Sequence, residues 1–127
     1  MPQTLLPVTF TYVSLLAISL MVFTAWIGIL RGKLRILRGS GGDPILFKRI
    51  RIHGNLMETA PTFGLVMGAA EYTGLGAGWL WAGLATFLAG RVLHYVLFDH
   101  RARGAATFLT VGPGVLMGFW LLAQVWL

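Results

Sequence analysis

The chain has no cysteine, which excludes disulfides, thiolate metal sites and a protein-borne thiol nucleophile. Any thiol chemistry would have to use a thiol carried in by a ligand. Charge is scarce too: 11% of residues are charged, with four Asp and Glu against ten Lys and Arg, and no charge precedes Arg31. The three histidines, His53, His94 and His100, fall into neither H-x-x-x-H nor H-x-x-E spacing, so no metal site is expected. There is no internal repeat and no low-complexity tract beyond RGSGG at 38–42.

What fills the chain instead is apolar: 57% hydrophobic residues and a mean hydropathy of +0.77, far from the balance of a soluble domain. The expectation is an all-α integral membrane protein. A spanning helix takes roughly 20 apolar residues, so 127 residues with short connections hold about four spans in a single four-transmembrane-helix bundle. The spans are placed at about 7–30, 44–72, 76–98 and 105–126. The first lacks the basic start of a signal peptide and exceeds its apolar length, so it reads as a retained span. The second opens on Asp43, suited to cap a helix N-terminus, and Pro44, suited to the first helical position. It is longer than a bilayer requires, so the turns carrying Lys48, Arg49 and Arg51 should stand near the surface.

Four spans put the 31–51 and 99–104 loops on one side, and all ten basic residues gather there. The positive-inside rule makes that side cytoplasmic, with both termini and the link near Glu71 opposite, as expected for a multi-pass protein. The excess positive charge is thus a topology signal, and no soluble domain exists to present it to nucleic acid. Small residues recur at Gly64-x-x-x-Gly68, Ala82-x-x-x-Thr86-x-x-x-Gly90 and Gly114-x-x-x-Gly118, a spacing that lets membrane helices approach closely. Pro61 and Pro113 each remove an intrahelical hydrogen bond and should bend spans two and four.

The segment RIRIHGNLMETAP at 49–61 carries the polar exceptions. Lys48, Arg51, Asn55 and Glu58 follow spacings of 3, 4 and 3, which aligns them in one stripe of a helix. Arg91, His94, Phe98 and Arg101 repeat the spacing in span three, so two polar ribs can face each other. An ionisable group inside the bilayer costs a few kcal/mol and should point to a partner or a wet cavity. The plain reading is that Glu58 pairs with Arg51 or Arg91 and locks the bundle. The excess of cations argues further for a net-anionic ligand with one amino group for Glu58: arginine forks suit carboxylates, and Asn55 can read a peptide bond. Arg35, Arg38 and Arg49 read as topology and headgroup contacts, and His100 as an exposed loop residue.

The run Arg51, Asn55, Glu58 and Pro61, an R-x-x-x-N-x-x-E-x-x-P pattern with basic residues just upstream, resembles the membrane-associated proteins in eicosanoid and glutathione metabolism. GRVLHYVLFDHR in span three is similar to that family's second polar stretch, with Arg91 and His94 as in its bacterial members. The resemblance implies a homotrimer of four-helix protomers in a bacterial inner membrane. It also implies glutathione as co-substrate, bound on the cytoplasmic half between subunits by Lys48, Arg51, Asn55, Glu58, Arg91 and His94. An arginine would stabilise the thiolate, Arg101 first and Arg31 second; His94 and Phe98 stand where the family's better-known enzymes carry tyrosines. The activity implied is transfer of glutathione to lipophilic electrophiles arriving from the membrane lipids, or reduction of lipid hydroperoxides, with the lipophilic pocket on spans one and four. Two rivals remain: a non-catalytic lipid- or glutathione-binding protein of the same fold, and a small multidrug transporter using Glu58 as proton carrier.

Overall fold

A computed structural model of the chain describes residues 5–127; residues 1–4, at the N-terminal end of the expected topology, lie outside it. Four helices alternate in direction: α1 Pro7–Leu34, α2 Pro44–Thr73, α3 Ala77–Val96 and α4 Arg103–Trp126. Both α1 and α4 are long and apolar enough to cross a membrane by themselves, whereas α2 and α3 carry the polar groups. The protein is a four-helix membrane bundle.

The helix ends follow local chemistry. Pro7 starts α1 with its φ already set and no N–H to lose. α1 runs one turn past Leu30, through Arg31 and Lys33, whose charge suits the negative end of the helix dipole. It stops at Arg35, held left-handed at φ 55°. Asp43 caps α2, its carboxylate accepting from the Leu46 N–H at 2.7 Å, with Pro44 as first helical residue. Gly74 ends α2 at φ 96°: its N–H reaches the Glu71 carbonyl while Leu75 N–H reaches back to Ala70, the paired closure that favours a glycine. α3 ends at Val96 and α4 begins at Arg103, each two residues from the expected boundary, because residues 97–102 turn without a glycine or proline to mark the turn. Both α2 and α4 continue unbroken through Pro61 and Pro113.

α2 is the central helix, touching the other three, while α1 packs on α2 and α3 and makes no helix contact with α4. At the centre Phe63 and Phe87 stack at 4.3 Å between ring centroids, and Tyr12 meets both rings edge-on. Such pairs add roughly 0.5–1.5 kcal/mol each beyond area burial. In lipid that matters, because apolar burial alone drives little helix association. The Tyr12 hydroxyl donates to the Ala60 carbonyl at 2.6 Å, just before Pro61. Two of the small-residue spacings work as close contacts. A Cβ on Gly64 would lie 2.7 Å from the Tyr12 ring, and one on Gly90 would lie 2.7 Å from the Thr110 backbone nitrogen. Gly118, by contrast, faces open space.

Opposite the basic loops, Tyr72, Trp79, Trp81 and Trp126 are exposed at the end formed by the α2–α3 link and the α4 C-terminus, an aromatic girdle of the kind that sits at headgroup level.

Candidate functional site

All four acidic residues fall within the described residues, and three are satisfied inside the chain. Asp43 caps α2. Asp99 pairs with Lys48 at 2.9 Å. Glu71 reaches across to the start of α1, where its two oxygens accept the Val8 N–H at 2.9 Å, the Thr9 N–H at 2.7 Å and the Thr9 hydroxyl at 2.6 Å. A helix N-terminus leaves N–H groups without intrahelical partners and favours negative charge, so one carboxylate meets both needs. Glu58 alone is different. It is exposed on the outer face of α2 and has no hydrogen-bond or ion-pair partner among the described residues; it pairs with neither Arg51 nor Arg91.

The four-residue stripe on α2 divides along its length. At 100° per residue its members spread over about 80° of the helix, with Asn55 and Lys48 at one edge and Arg51 and Glu58 at the other. The first edge is used against α3. The Asn55 side-chain oxygen accepts from Arg91 Nη1, and Arg91 Nη2 reaches the Ile52 carbonyl at 3.4 Å. Lys48, besides its bond to Asp99, lies over the Tyr95 and Phe98 rings. The second edge stays open: Arg51 and Glu58 are both exposed, and helical rise sets them about 10 Å apart along the axis. The two polar ribs therefore meet through Asn55 and Arg91, with a cation–anion pair of separated groups left facing outward.

The other expected site residues are dispersed. His94 is 5% exposed, edge-on to Phe98 and one turn beyond Gly90, on the line of α3 that packs against α4. Arg101 is exposed in the α3–α4 turn. Arg31 is engaged by its own loop, Nη1 donating to the Gly39 carbonyl at 2.8 Å and to the Ile36 carbonyl at 3.5 Å. Among the described residues neither arginine is hydrogen-bonded to the α2 stripe.

Beside the Asn55–Arg91 contact a groove of about 720 Å³ opens between α1 and α3, with Ile52 and Leu56 of α2 as its floor. Leu16, Phe23, Trp26 and Phe87 line it, and Arg91 is the one charged residue in its wall. The walls of this groove are α1 and α3, because within one chain α4 lies against α3 and does not reach α1. Arg49, expected as a topology and headgroup contact, is tied inside the bundle, donating to the Trp26 carbonyl at 2.6 Å with its guanidinium 4.4 Å from the indole centroid. Its acceptor is a backbone carbonyl of another helix, which no residue pattern announces.

Comparison with known proteins agrees with the pattern on α2. Residues 9–123 match the model of the MAPEG family. The chain is 37% identical over 90 residues to "Inner membrane protein YecN" of Escherichia coli strain K12, covering 71% of this chain and 69% of that protein, and equally to its counterpart in strain CFT073. The chain belongs to the MAPEG family.

Proposed function

We propose that the protein is a membrane-bound glutathione transferase whose thiol-peptide site is completed between protomers of a homotrimer. The observation that carries this reading is the open edge of α2: Glu58 and Arg51 without partners among the described residues, in a chain whose three other acids are all satisfied. Ionisable groups cost a few kcal/mol when they face lipid, so a neighbouring subunit or a ligand must cover this edge. Glutathione has the matching groups. Its amino group would meet Glu58, a carboxylate would meet the Arg51 fork, and the Asn55 amide, whose oxygen is taken by Arg91, would donate through its nitrogen. Lys48, Arg91 and His94 would support the site from α2 and α3 and not from its open face.

Chemistry needs the bound thiol as thiolate. A free thiol has a pKa of about 8.5, and lowering it by two units takes about 2.7 kcal/mol of charge stabilisation. Arg101, free of fixed contacts, or Arg31 of a neighbouring protomer would supply it. The thiolate would attack a lipophilic electrophile held in the α1–α3 groove, or reduce a lipid hydroperoxide there. The excess of basic residues in the loops favours the cytoplasmic face of a bacterial inner membrane for this half of the bundle, and the relative's name, an inner membrane protein, agrees with that membrane.

A second reading, a binder without catalysis, draws on the engagement of Arg31 by the Gly39 and Ile36 carbonyls, which leaves it committed to its loop. A proton-coupled transporter would want its glutamate in an anionic cavity, and Arg51 beside Glu58 opposes that. The test is glutathione binding to detergent-purified protein, followed by the ultraviolet thiolate band and turnover of a chloronitrobenzene. Binding that survives both Arg51→Ala and Glu58→Ala would overturn the site; binding with neither thiolate band nor turnover would favour the binder.

A further inference from the structure

The end of α1 and the loop after it form a second constellation, from which the glutathione reading draws only Arg31, as its second choice for the thiolate. A groove of about 560 Å³ is lined by Gly28, Arg31, Gly32, Arg35, Ile36 and Leu37. Gly28 and Gly32, one turn apart on α1, leave a notch in the helix surface, since a Cβ at either would meet nothing within 4 Å. Arg31 and Arg35 stand over the notch, also one turn apart. Between residues 31 and 38 there are four cations and no acid, and Lys33, Arg35 and Arg38 have no partner among the described residues. The nearest acid, Asp43, is spent on the α2 cap. Leu37 completes the groove and is 94% exposed.

Depth decides what such a groove meets. Val8 lies at the far end of the bundle, clasped by Glu71, and about 20 residues of helix from there cover the roughly 30 Å hydrocarbon layer. Gly28 therefore lies at the hydrocarbon boundary, and Arg31 to Arg38 lie among the headgroups. From this placement we infer that the α1–α2 loop is a binding site for an anionic phospholipid. The phosphodiester sits between Arg35 and the free guanidinium edge of Arg31, with Lys33 and Arg38 beside it, while an acyl chain runs along the Gly28–Gly32 notch under Leu37. Arginine forks match phosphate oxygens in pairs. A soluble phosphate would satisfy the cations but leave Leu37 and the notch uncovered, so the combined polar and apolar walls favour a lipid. Arg31 shapes the site through its bonds to Gly39 and Ile36, which fold the loop back over the helix end.

The test uses the full chain in detergent, titrated with dioleoylphosphatidylglycerol or dioleoylphosphatidylcholine and read by native mass spectrometry. The wild type should retain phosphatidylglycerol over phosphatidylcholine by about tenfold, as several surface cations acting together allow. Arg35→Gly removes a cation at a left-handed position where glycine is at ease, so the fold is spared and the preference should fall severalfold. Lys33→Gln with Arg38→Gln should lower it again, and Leu37→Ser should weaken lipid binding without restoring phosphatidylcholine. The inference is overturned if the three-cation variant keeps the preference, or if Arg101→Gln in the other loop removes as much of it, which would mean general surface charge. It is equally overturned if soluble glycerophosphoglycerol displaces the lipid at similar concentration, which would mean a free-anion site.

Discussion

Glu58 and Glu71 are the same residue on the same helix, thirteen positions apart, and the bundle treats them oppositely. Glu71 is half-buried and gives three hydrogen bonds a home at the start of α1; Glu58 is exposed and has none among the described residues. Glu71 sits where α2 ends and a second helix begins, so free N–H groups are within reach. Glu58 sits mid-helix, where every nearby N–H already serves α2, and only another chain or a ligand can meet it. One carboxylate completes the fold, and the other is left for something outside it.

The sharpest way to break that division is to remove each acid in turn. Glu71→Ala strands two α1 N–H groups and a favourable dipole contact, and should cost about 3 kcal/mol of stability, read by reversible unfolding in mixed micelles. Glutathione binding per folded molecule should be unchanged. Glu58→Gln should do the reverse, weakening glutathione binding by about 30-fold, near 2 kcal/mol for a charge-assisted bond, while stability stays within about 0.5 kcal/mol. If Glu58→Gln unfolds the protomer, or Glu71→Ala abolishes binding in the folded fraction, the division fails.

A smaller effect separates close helix contact from open helix surface. Gly90→Ala puts a methyl 2.7 Å from the Thr110 backbone nitrogen and 3.0 Å from the Ala106 carbonyl. Backbone cannot swing aside, so α3 and α4 must part, at about 1–3 kcal/mol. Gly28→Ala meets nothing and should leave stability within about 0.5 kcal/mol or raise it slightly, as Ala favours helix over Gly. Equal losses in thermal unfolding would show that the α3–α4 contact at Gly90 does not limit side-chain size.

Much of this was legible in the sequence, for physical reasons that can be named. Asp43 with Pro44 marks a helix start because cap chemistry is local. The two polar ribs were legible from helical period, and Asn55 does meet Arg91. The division of the α2 stripe was not, because spacings of 3, 4 and 3 describe a band about 80° wide, and only the position of α3 decides which edge it covers. The Glu71 clasp and the Arg49–Trp26 tie were hidden as well, since each joins a side chain to the backbone of α1 and backbone groups leave no residue signature.

Lys48 is where the two kinds of group meet, and it gives the smallest effect. It belongs to the polar stripe, yet Asp99 holds it at 2.9 Å, with the carboxylate largely in solvent at 78% exposed and the lysine partly so at 32%. An exposed pair of this kind contributes about 0.2–1 kcal/mol and weakens with salt. Asp99→Asn should therefore cost at most about 0.5 kcal/mol of stability at low salt and less at 0.5 M, while releasing a cation beside the ligand site. Glutathione affinity should hold or tighten by two- to threefold, an increase on the order of 0.5 kcal/mol that added salt erases. A loss of affinity in Asp99→Asn would mean that the pair positions Lys48 for the ligand and does not compete with it, which moves Lys48 from the satisfied edge of α2 to the open one.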